Sequence, residues 1–372
     1  MTRLILHKFD PLTPAPGGID TCIRGIIKYR REEEILIVGV DGANDEHRKL
    51  GAWEDHSLFG RDIRFMPVVR LDPGNQVRKV PHSVRIAAGT LRFRHRLPTP
   101  EVVQTHRADL SLLANWLWRD APFDYFIHTQ EAGLLGSDSD SFWKKAPLGH
   151  RAIEKRVASR ASRVRVFNPS YTPTVQQWNP AARFSPTWWD PELVISADHA
   201  QRDPHLLLWV GRLEQPKQPE IAVQSMAALR EQHPDEPWRL RIIGTGNRAS
   251  ALEQLVKQLK LQDRIELVGR LGPTRVMEEM SVASTLLMTS VAGYEGFPRV
   301  LVEGLASGLI AVTTEGADTG NLIQEGTNGY HAAPDGQSFA ERIRLTKDLD
   351  HGDAQESAHH LSAPEVIAAL YS

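Results

Sequence analysis

The chain reads as an α/β protein of two parallel-sheet domains, and three observations predict this. Its 372 residues exceed what one core of roughly 150 residues usually holds. Short apolar runs alternate with longer amphipathic stretches from end to end, the order of strand, helix and strand that builds a parallel sheet. Several of those runs lack polar alternation, as strands covered on both faces do. Composition agrees: 41% of residues are apolar and 24% charged, with 27 Gly and 24 Pro spread along the chain, so disorder, collagen and coiled coil are excluded as the main architecture.

In the first half the strand-like runs are 4–7, 35–40, 102–105, 125–127 and 164–167; in the second they are 206–210, 240–243, 265–268, 285–288 and 310–313. Between the two series, 179–204 is rich in Pro, Trp and polar residues without a clear period, and reads as interdomain chain. The expected division is therefore 1–190, a linker over 191–204, a second domain over 205–350, and a C-terminal segment over 351–372 that is a candidate to pack back on the first domain. Trp178, Trp188 and Trp189 are expected to pack at the junction rather than line a binding site. Residues 348–360 are polar and weakly patterned, and 364–370 read as a short closing helix.

Charge and cysteine content narrow the function. Lys and Arg total 44 against 46 Asp and Glu, a formal charge of −2, so no overall field favours nucleic acid. The balance is uneven: residues 1–200 hold 28 basic and 23 acidic side chains, and residues 201–372 hold 16 and 23. The single cysteine, Cys22, forms no internal disulfide and reads as a small buried apolar residue. No run approaches the 18 apolar residues of a membrane span, and the first ten residues lack the length of a secretory signal, so the expected location is the cytoplasm.

Ligands of open α/β sheets bind outside the carboxyl ends of the strands, and the informative residues follow strands. After 206–210 come Gly211 and Arg212, with Lys217 five residues past the arginine. A guanidinium forks onto two diphosphate oxygens and an ammonium adds a compact charge, although alone the pair fits solvated surface charge better. Residues 293–308, GYEGFPRVLVEGLASG, say more. Glu295 and Glu303 are eight apart, Pro298 suits the first turn of a helix, and Gly296 lets backbone approach a ligand. The helix would aim free amides at an anion, and the two carboxylates would grip separate hydroxyl groups of one long ligand, as a sugar plus a ribose presents.

With these residues in place the chain resembles the retaining glycosyltransferases of family 4, whose GT-B fold has two Rossmann-like doubly wound domains facing across a cleft. The resemblance rests on Gly211, Arg212 and Lys217, the turn Gly244, Thr245, Gly246, Gly269 after 265–268, and the E-x7-E pair Glu295 and Glu303. It continues through Ala306, Gly308, Gly316 and the turn Asn328, Gly329, Tyr330 to Pro334, covering most of 205–340. It implies that Arg212 and Lys217 hold the donor diphosphate, that Glu295 meets the donor sugar and that Glu303 meets the ribose. Backbone from Gly269 through Arg270 to Leu271 would meet the nucleobase, and Gly296, Phe297, Pro298 and Val300 would line the same donor. Where the family often has a Pro-Glu pair after the Gly316 turn, this chain has 318–321, DTGN, which leaves the contacts there open.

In the first half, Pro16, Gly17, Gly18 and Ile19 resemble the family's glycine-rich loop, and His128 after 125–127 resembles its cleft histidine. His106, at the end of 102–105, is the rival. His128, Glu295, Arg212 and Lys217 are the implied catalytic set, completed by domain closure.

Three patterns are weaker. Asp138, Ser139, Asp140 spells a metal-holding D-x-D, but Arg212 and Lys217 already supply positive charge there, so no metal and no cofactor is expected. The Gly244 to Gly246 turn is only part of a dinucleotide fingerprint. Arg85, Arg92, Arg94 and Arg96, with His82 and His95, suit anionic lipid head groups or a lipid diphosphate, and equally suit solvated charge.

The expectation is thus a cytoplasmic, metal-independent retaining glycosyltransferase taking a nucleotide-sugar donor and a glycan or lipid-linked acceptor. Residues 85–96 are its candidate contact with the inner face of a membrane. Two other classes stay open: a nucleotide-sugar epimerase of the same fold, which would change the donor sugar with no acceptor present, and a non-catalytic nucleotide-sugar or lipid-binding protein.

Overall fold

All ten apolar runs form strands in the computed structural model, which describes residues 1–15, 18–71, 80–128, 147–195 and 201–372. The chain divides into one unit of Met1–Ser185 with Ile367–Ser372 and a second of Pro186–Val366. Residues 191–195 and 201–204 thus fall inside the second unit, and the last six residues belong with the first.

Among the described residues the first unit has eight strands: β1 (Thr2–Leu6), β2 (Glu34–Asp41), β3 (Glu54–Leu58), β4 (Arg61–Arg70), β5 (Val102–Thr105), β6 (Phe123–Ile127), β7 (Arg163–Val166) and β8 (Arg183–Phe184). They lie in the order β3-β4-β2-β1-β5-β6-β7-β8, and only the β3–β4 pair is antiparallel. The absence of polar alternation has its physical cause here. Leu4, Leu6, Leu36 and Val38 pack into one core, while Ile5, Ile35 and Ile37 pack into another on the opposite face.

The second unit repeats the plan with β9 (Asp203–Val210), β10 (Arg239–Ile243), β11 (Ile265–Gly269), β12 (Ala283–Met288), β13 (Ile310–Thr314) and β14 (Gly329–Ala332), all parallel in the order β11-β10-β9-β12-β13-β14. Leu207 and Trp209 face one core, and Leu206 and Leu208 the other. This is the doubly wound order in which the direction of winding reverses beside the first strand, and the crevice at that reversal is where such sheets bind ligands. In the second unit the reversal lies between β9 and β12; in the first it lies between β1 and β5.

Four strands were not among those ten runs. β3 and β4 form a hairpin whose outer strand reads Glu-Asp-His-Ser-Leu, too polar to mark itself, closed by Phe59 and Gly60, both with positive φ. β8 and β14 are only two and four residues long. Residues 351–357 form a helix capped by the Asp350 carboxylate, and the closing helix runs Ala363–Leu370. No helix among the described residues is long and apolar enough to cross a membrane.

Candidate active site

The loops after β9 and β12 meet at the second unit's reversal point, and they carry most of the singled-out side chains. Thr289, just past β12, accepts a hydrogen bond from the buried Trp209 indole at 2.9 Å and donates to the Lys217 carbonyl at 2.7 Å, while the Val291 amide donates to the Pro216 carbonyl at 2.9 Å. The Lys217 loop is thereby tied to β12 before helix Pro219–Gln232 begins. Lys217 Nζ donates to Glu295 Oε1, and the Ser290 hydroxyl donates to the same oxygen at 2.6 Å. Glu295 is buried, so its charge is held by one ammonium and one hydroxyl.

Arg212 stands in a different environment. Its side chain is 68% exposed, and its two terminal nitrogens reach Glu214 Oε1 at 2.8 Å and the Tyr294 hydroxyl at 2.7 Å. Both cations of the implied diphosphate clamp are therefore engaged by carboxylates of this chain, Arg212 loosely and Lys217 tightly. Burial, with the nearby Glu214 and Glu295 charges, raises the Tyr294 hydroxyl above its ordinary range, so it stays protonated as a donor.

The glycine turns beside them are a packing requirement. Gly244 has a φ of +148°, and a Cβ there would lie 1.8 Å from the Gly211 carbonyl oxygen; one at Gly246 would lie 2.2 Å from that of Leu213. Backbone bonds from Gly211 to Ile243 at 3.0 Å and from Gly244 to Gly269 at 2.8 Å tie the ends of β9, β10 and β11 into one rim. Arg270 on that rim is exposed and Leu271 half-buried.

Helix Arg299–Ala306 follows the Glu295 loop. Pro298 is its N-cap, in extended backbone, so the helix begins two residues after Phe297 and Pro298 stands outside its first turn, a correction to the expectation. Gly296, Phe297 and Pro298 are buried and Val300 is half-buried. Glu303 lies one turn in, 3.5 Å from Arg299 across an i,i+4 pair, and burial pushes its carboxyl up despite Arg299. Arg299 also lies over the buried Trp188 ring at 5.7 Å. Trp189 donates to the Ala358 carbonyl at 2.8 Å, so Trp188 and Trp189 are packing residues of the second unit.

The segment that departs from the family pattern is also built into this site. The Asp318 carboxylate accepts from the Leu322 and Ile323 amides at 2.8 and 2.9 Å, and the Thr319 hydroxyl donates to the Gly296 carbonyl at 2.5 Å. Glu214, Ser290, Tyr294, Arg299 and Thr319 thus join a site whose motif residues alone carried a sequence signal.

In the first unit, Gly18 opens helix Gly18–Tyr29, is exposed, and has nothing within 4 Å of a Cβ position; Gly17 and Pro16 lie outside the described residues. His106 and His128 are hydrogen-bond partners. Their Nδ1 and Nε2 atoms lie 2.9 Å apart, with His106 buried and His128 half-buried at the end of β6. Cys22 is close enough that ligand atoms of all three lie within 4.8 Å. Two imidazole nitrogens on one zinc ion stand about 3.3 Å apart in tetrahedral geometry, so the pair is set for sharing a proton. Asp138, Ser139 and Asp140 lie outside the described residues. In the basic run, Arg85 donates to the Arg70 carbonyl at 2.7 Å and Arg96 to that of Gly51 at 3.0 Å, so two of its members brace backbone.

Residues 194–362 match the family model described as glycosyl transferases group 1. This stretch is similar to glycosyl transferases group 1. It includes Arg212, Lys217, Glu295 and Glu303 and the rim that surrounds them. An exopolysaccharide phosphotransferase of Streptomyces coelicolor is 40% identical to this chain over 136 residues, 36% of this chain and 14% of its own. The amylovoran biosynthesis glycosyltransferase AmsK of Erwinia amylovora is 28% identical over 174 residues, 46% of this chain and 40% of its own. The chain thus matches less than half the length of these relatives. The solved structure of Anabaena HepE, in complex with UDP and glucose, superimposes with a TM-score of 0.72 at 17% identity, over 100% of this chain and 98% of that one. The chain therefore has the GT-B fold of such glycosyltransferases.

Proposed function

We propose that the protein is a retaining glycosyltransferase of the family 4 type, moving a sugar from a nucleoside diphosphate donor to a hydroxyl of a glycan or lipid-linked acceptor. One observation carries the reading: Arg212, Lys217 and Glu295 stand on the loops at the sheet's reversal point and Glu303 one turn into the helix that follows, inside the stretch that matches group 1. Arg212 is mobile enough by exposure to turn from Glu214 to a diphosphate, and Lys217 adds a fixed charge beside it. As the glycosidic bond breaks, the leaving diphosphate gains negative charge that both cations stabilise. Glu303 takes the ribose hydroxyls and Glu295 those of the sugar, with His128 the first unit's contribution to positioning the reacting groups. The HepE complex with UDP and glucose and the polysaccharide-building role in AmsK's name favour this donor and acceptor class. No divalent ion has a task in this scheme, and the site's place is the cytoplasm, where nucleotide sugars are made.

Calorimetry with free nucleoside diphosphates and nucleotide sugars tests the assignment. Glu303→Ala is expected to weaken both ligands, and Glu295→Ala only the sugar-bearing one, each by roughly 1.5 to 3 kcal/mol for a lost charged hydrogen bond. Equal loss of free nucleotide in Glu295→Ala sinks the division of roles. Product linkage read from NMR coupling constants is expected to show retention, and activity is expected to survive chelation. Inverted product, or activity restored only by manganese, overturns the mechanism and returns Asp138 and Asp140 as the site. Donor sugar altered with no acceptor present would identify an epimerase.

A further inference from the structure

A hydrogen-bond chain with a fixed direction runs through the first unit's sheet to His128. Arg3 has only donors to offer, and its Nη1 lies 3.1 Å from Gln104 Oε1; the Tyr371 hydroxyl donates to the same oxygen at 2.8 Å. Arg3 is held in place by Glu33 and, at 2.6 Å, by Asp124. With the amide oxygen so assigned, Gln104 Nε2 faces His106 Nε2 at 2.9 Å. An amide nitrogen cannot accept, so His106 Nε2 accepts and its one proton sits on Nδ1. That Nδ1 lies 2.9 Å from His128 Nε2, which must accept in turn.

We propose that Gln104 and His106 are positioning residues that hold His128 as the neutral tautomer with its proton on Nδ1, in a direction set by Arg3 and Tyr371. The members of the chain behind His128 are shielded from competing water: Arg3 and Gln104 are 0% exposed and His106 is 2% exposed. Burial first, then the His128, His7 and Arg3 charges, holds His106 well below the ordinary imidazole range, so it carries one proton only. Phe167 stacks on His128 with centroids 4.3 Å apart and planes at 9°, which fixes the ring plane. His7 from β1's end, Cys22 from helix Gly18–Tyr29 and Phe126 from β6 also lie against the pair. A doubly protonated His128 would set N–H against N–H. His128 therefore cannot take an acceptor proton on Nε2, and the hydrogen it carries is on Nδ1. The catalytic part of this inference rests on the glycosyltransferase reading; the tautomer does not.

Two-bond proton–nitrogen correlation spectra of protein labelled with 15N-histidine test it, with His128 signals assigned by their loss in His128→Gln. At pH 7 the wild type is expected to show a protonated Nδ1 and a bare Nε2 on His128. Gln104→Glu turns a donor into an acceptor at constant shape, so His106 must donate from Nε2 and accept at Nδ1, and the His128 proton moves to Nε2. Tyr371→Phe leaves Arg3 in place and is expected to keep the wild-type tautomer; Gln104→Leu, which adds no buried charge, is expected to give a mixture. A wild-type proton on His128 Nε2, or an unchanged tautomer in folded Gln104→Glu and Gln104→Leu, overturns the proposal. In turnover, Gln104→Glu is expected to lower kcat about tenfold, as one lost hydrogen bond does, with nucleotide affinity unchanged. An inverted tautomer with full kcat would leave the relay standing and remove His128 from the reaction.

Discussion

Arg212 and Lys217 share one implied task and differ in what each already holds. The Lys217 side chain is 15% exposed and neutralises Glu295, so Lys217→Ala strands a buried carboxylate on the Ser290 hydroxyl and is expected to cost about 3 kcal/mol of stability, the lower end for broken buried pairs. Arg212→Ala removes an exposed side chain and is expected to stay within about 0.5 kcal/mol of wild type. Thermal melts of the two variants check this, and equal destabilisation would contradict the difference in burial. Glu214 competes with a diphosphate for Arg212, so Glu214→Gln is expected to tighten free nucleoside diphosphate up to about fivefold, the range of an exposed ion pair. Weaker binding in that variant would mean that Glu214 orients Arg212 and does not compete for it. At this scale the sequence displayed residue types whose chemistry is unusual after a strand: a guanidinium, an ammonium, and glutamates flanking Gly-Phe-Pro. It did not display Ser290, Tyr294 or Arg299, because a hydroxyl or an arginine acquires its meaning from what lies across a loop, and no spacing rule encodes that distance.

The strand-to-loop junctions are fixed more rigidly than the side chains they present. A Cβ at Gly244 would fall 1.8 Å from the Gly211 carbonyl, and the φ of +148° adds strain. Gly244→Ala must therefore part the ends of β9 and β10, and is expected to cost about 2 to 3 kcal/mol in urea unfolding and to weaken nucleotide binding along with it. Gly18→Ala is the control at the same substitution: it is exposed, helical and uncrowded, and is expected to be neutral or to stabilise by up to about 1 kcal/mol. A Gly244→Ala variant as stable as wild type would mean that the rim can spread. Elements buried on both faces, such as β2 with Ile35 to Val40, announced themselves as unbroken apolar runs. β3 did not, because an edge strand with one wet face needs no such run, and its Glu54 and His56 serve an ion-pair cluster around Arg48 instead. The start of helix Arg299–Ala306 shifted for a related reason: Pro at the N-cap and Pro in the first turn leave the same mark on a sequence.

The reversal of winding beside the first strand in both units, with a chemically loaded reversal point in each, was legible only as alternation; which strands lie side by side depends on packing that no single run records. The price of placing the first unit's histidines at its reversal point falls on stability in acid. Burial, then the Arg107 and His128 charges, depresses His7 to about 3, and burial depresses His106 well below the ordinary 6.5. Both pKa values are lower in the folded chain than in the unfolded one, so below pH 6.5 the unfolded state binds protons that the folded state refuses. Stability is full above pH 6.5 and falls as the pH drops toward 3, by up to about 1.4 kcal/mol per pH unit for each histidine. Between pH 6.5 and 5 His7 alone is expected to remove about 1.7 kcal/mol, and His106 adds to it in the same direction, before carboxylate pairs such as Glu33 with Arg3 begin to protonate. Urea unfolding followed from pH 7.5 to 5 measures the slope, and His7→Gln is expected to reduce it because its neutral amide binds no proton in either state. A flat profile over that range, or a slope unchanged in His7→Gln, would mean that water reaches these rings and that the reversal point of the first unit is not the dry, neutral site its geometry describes.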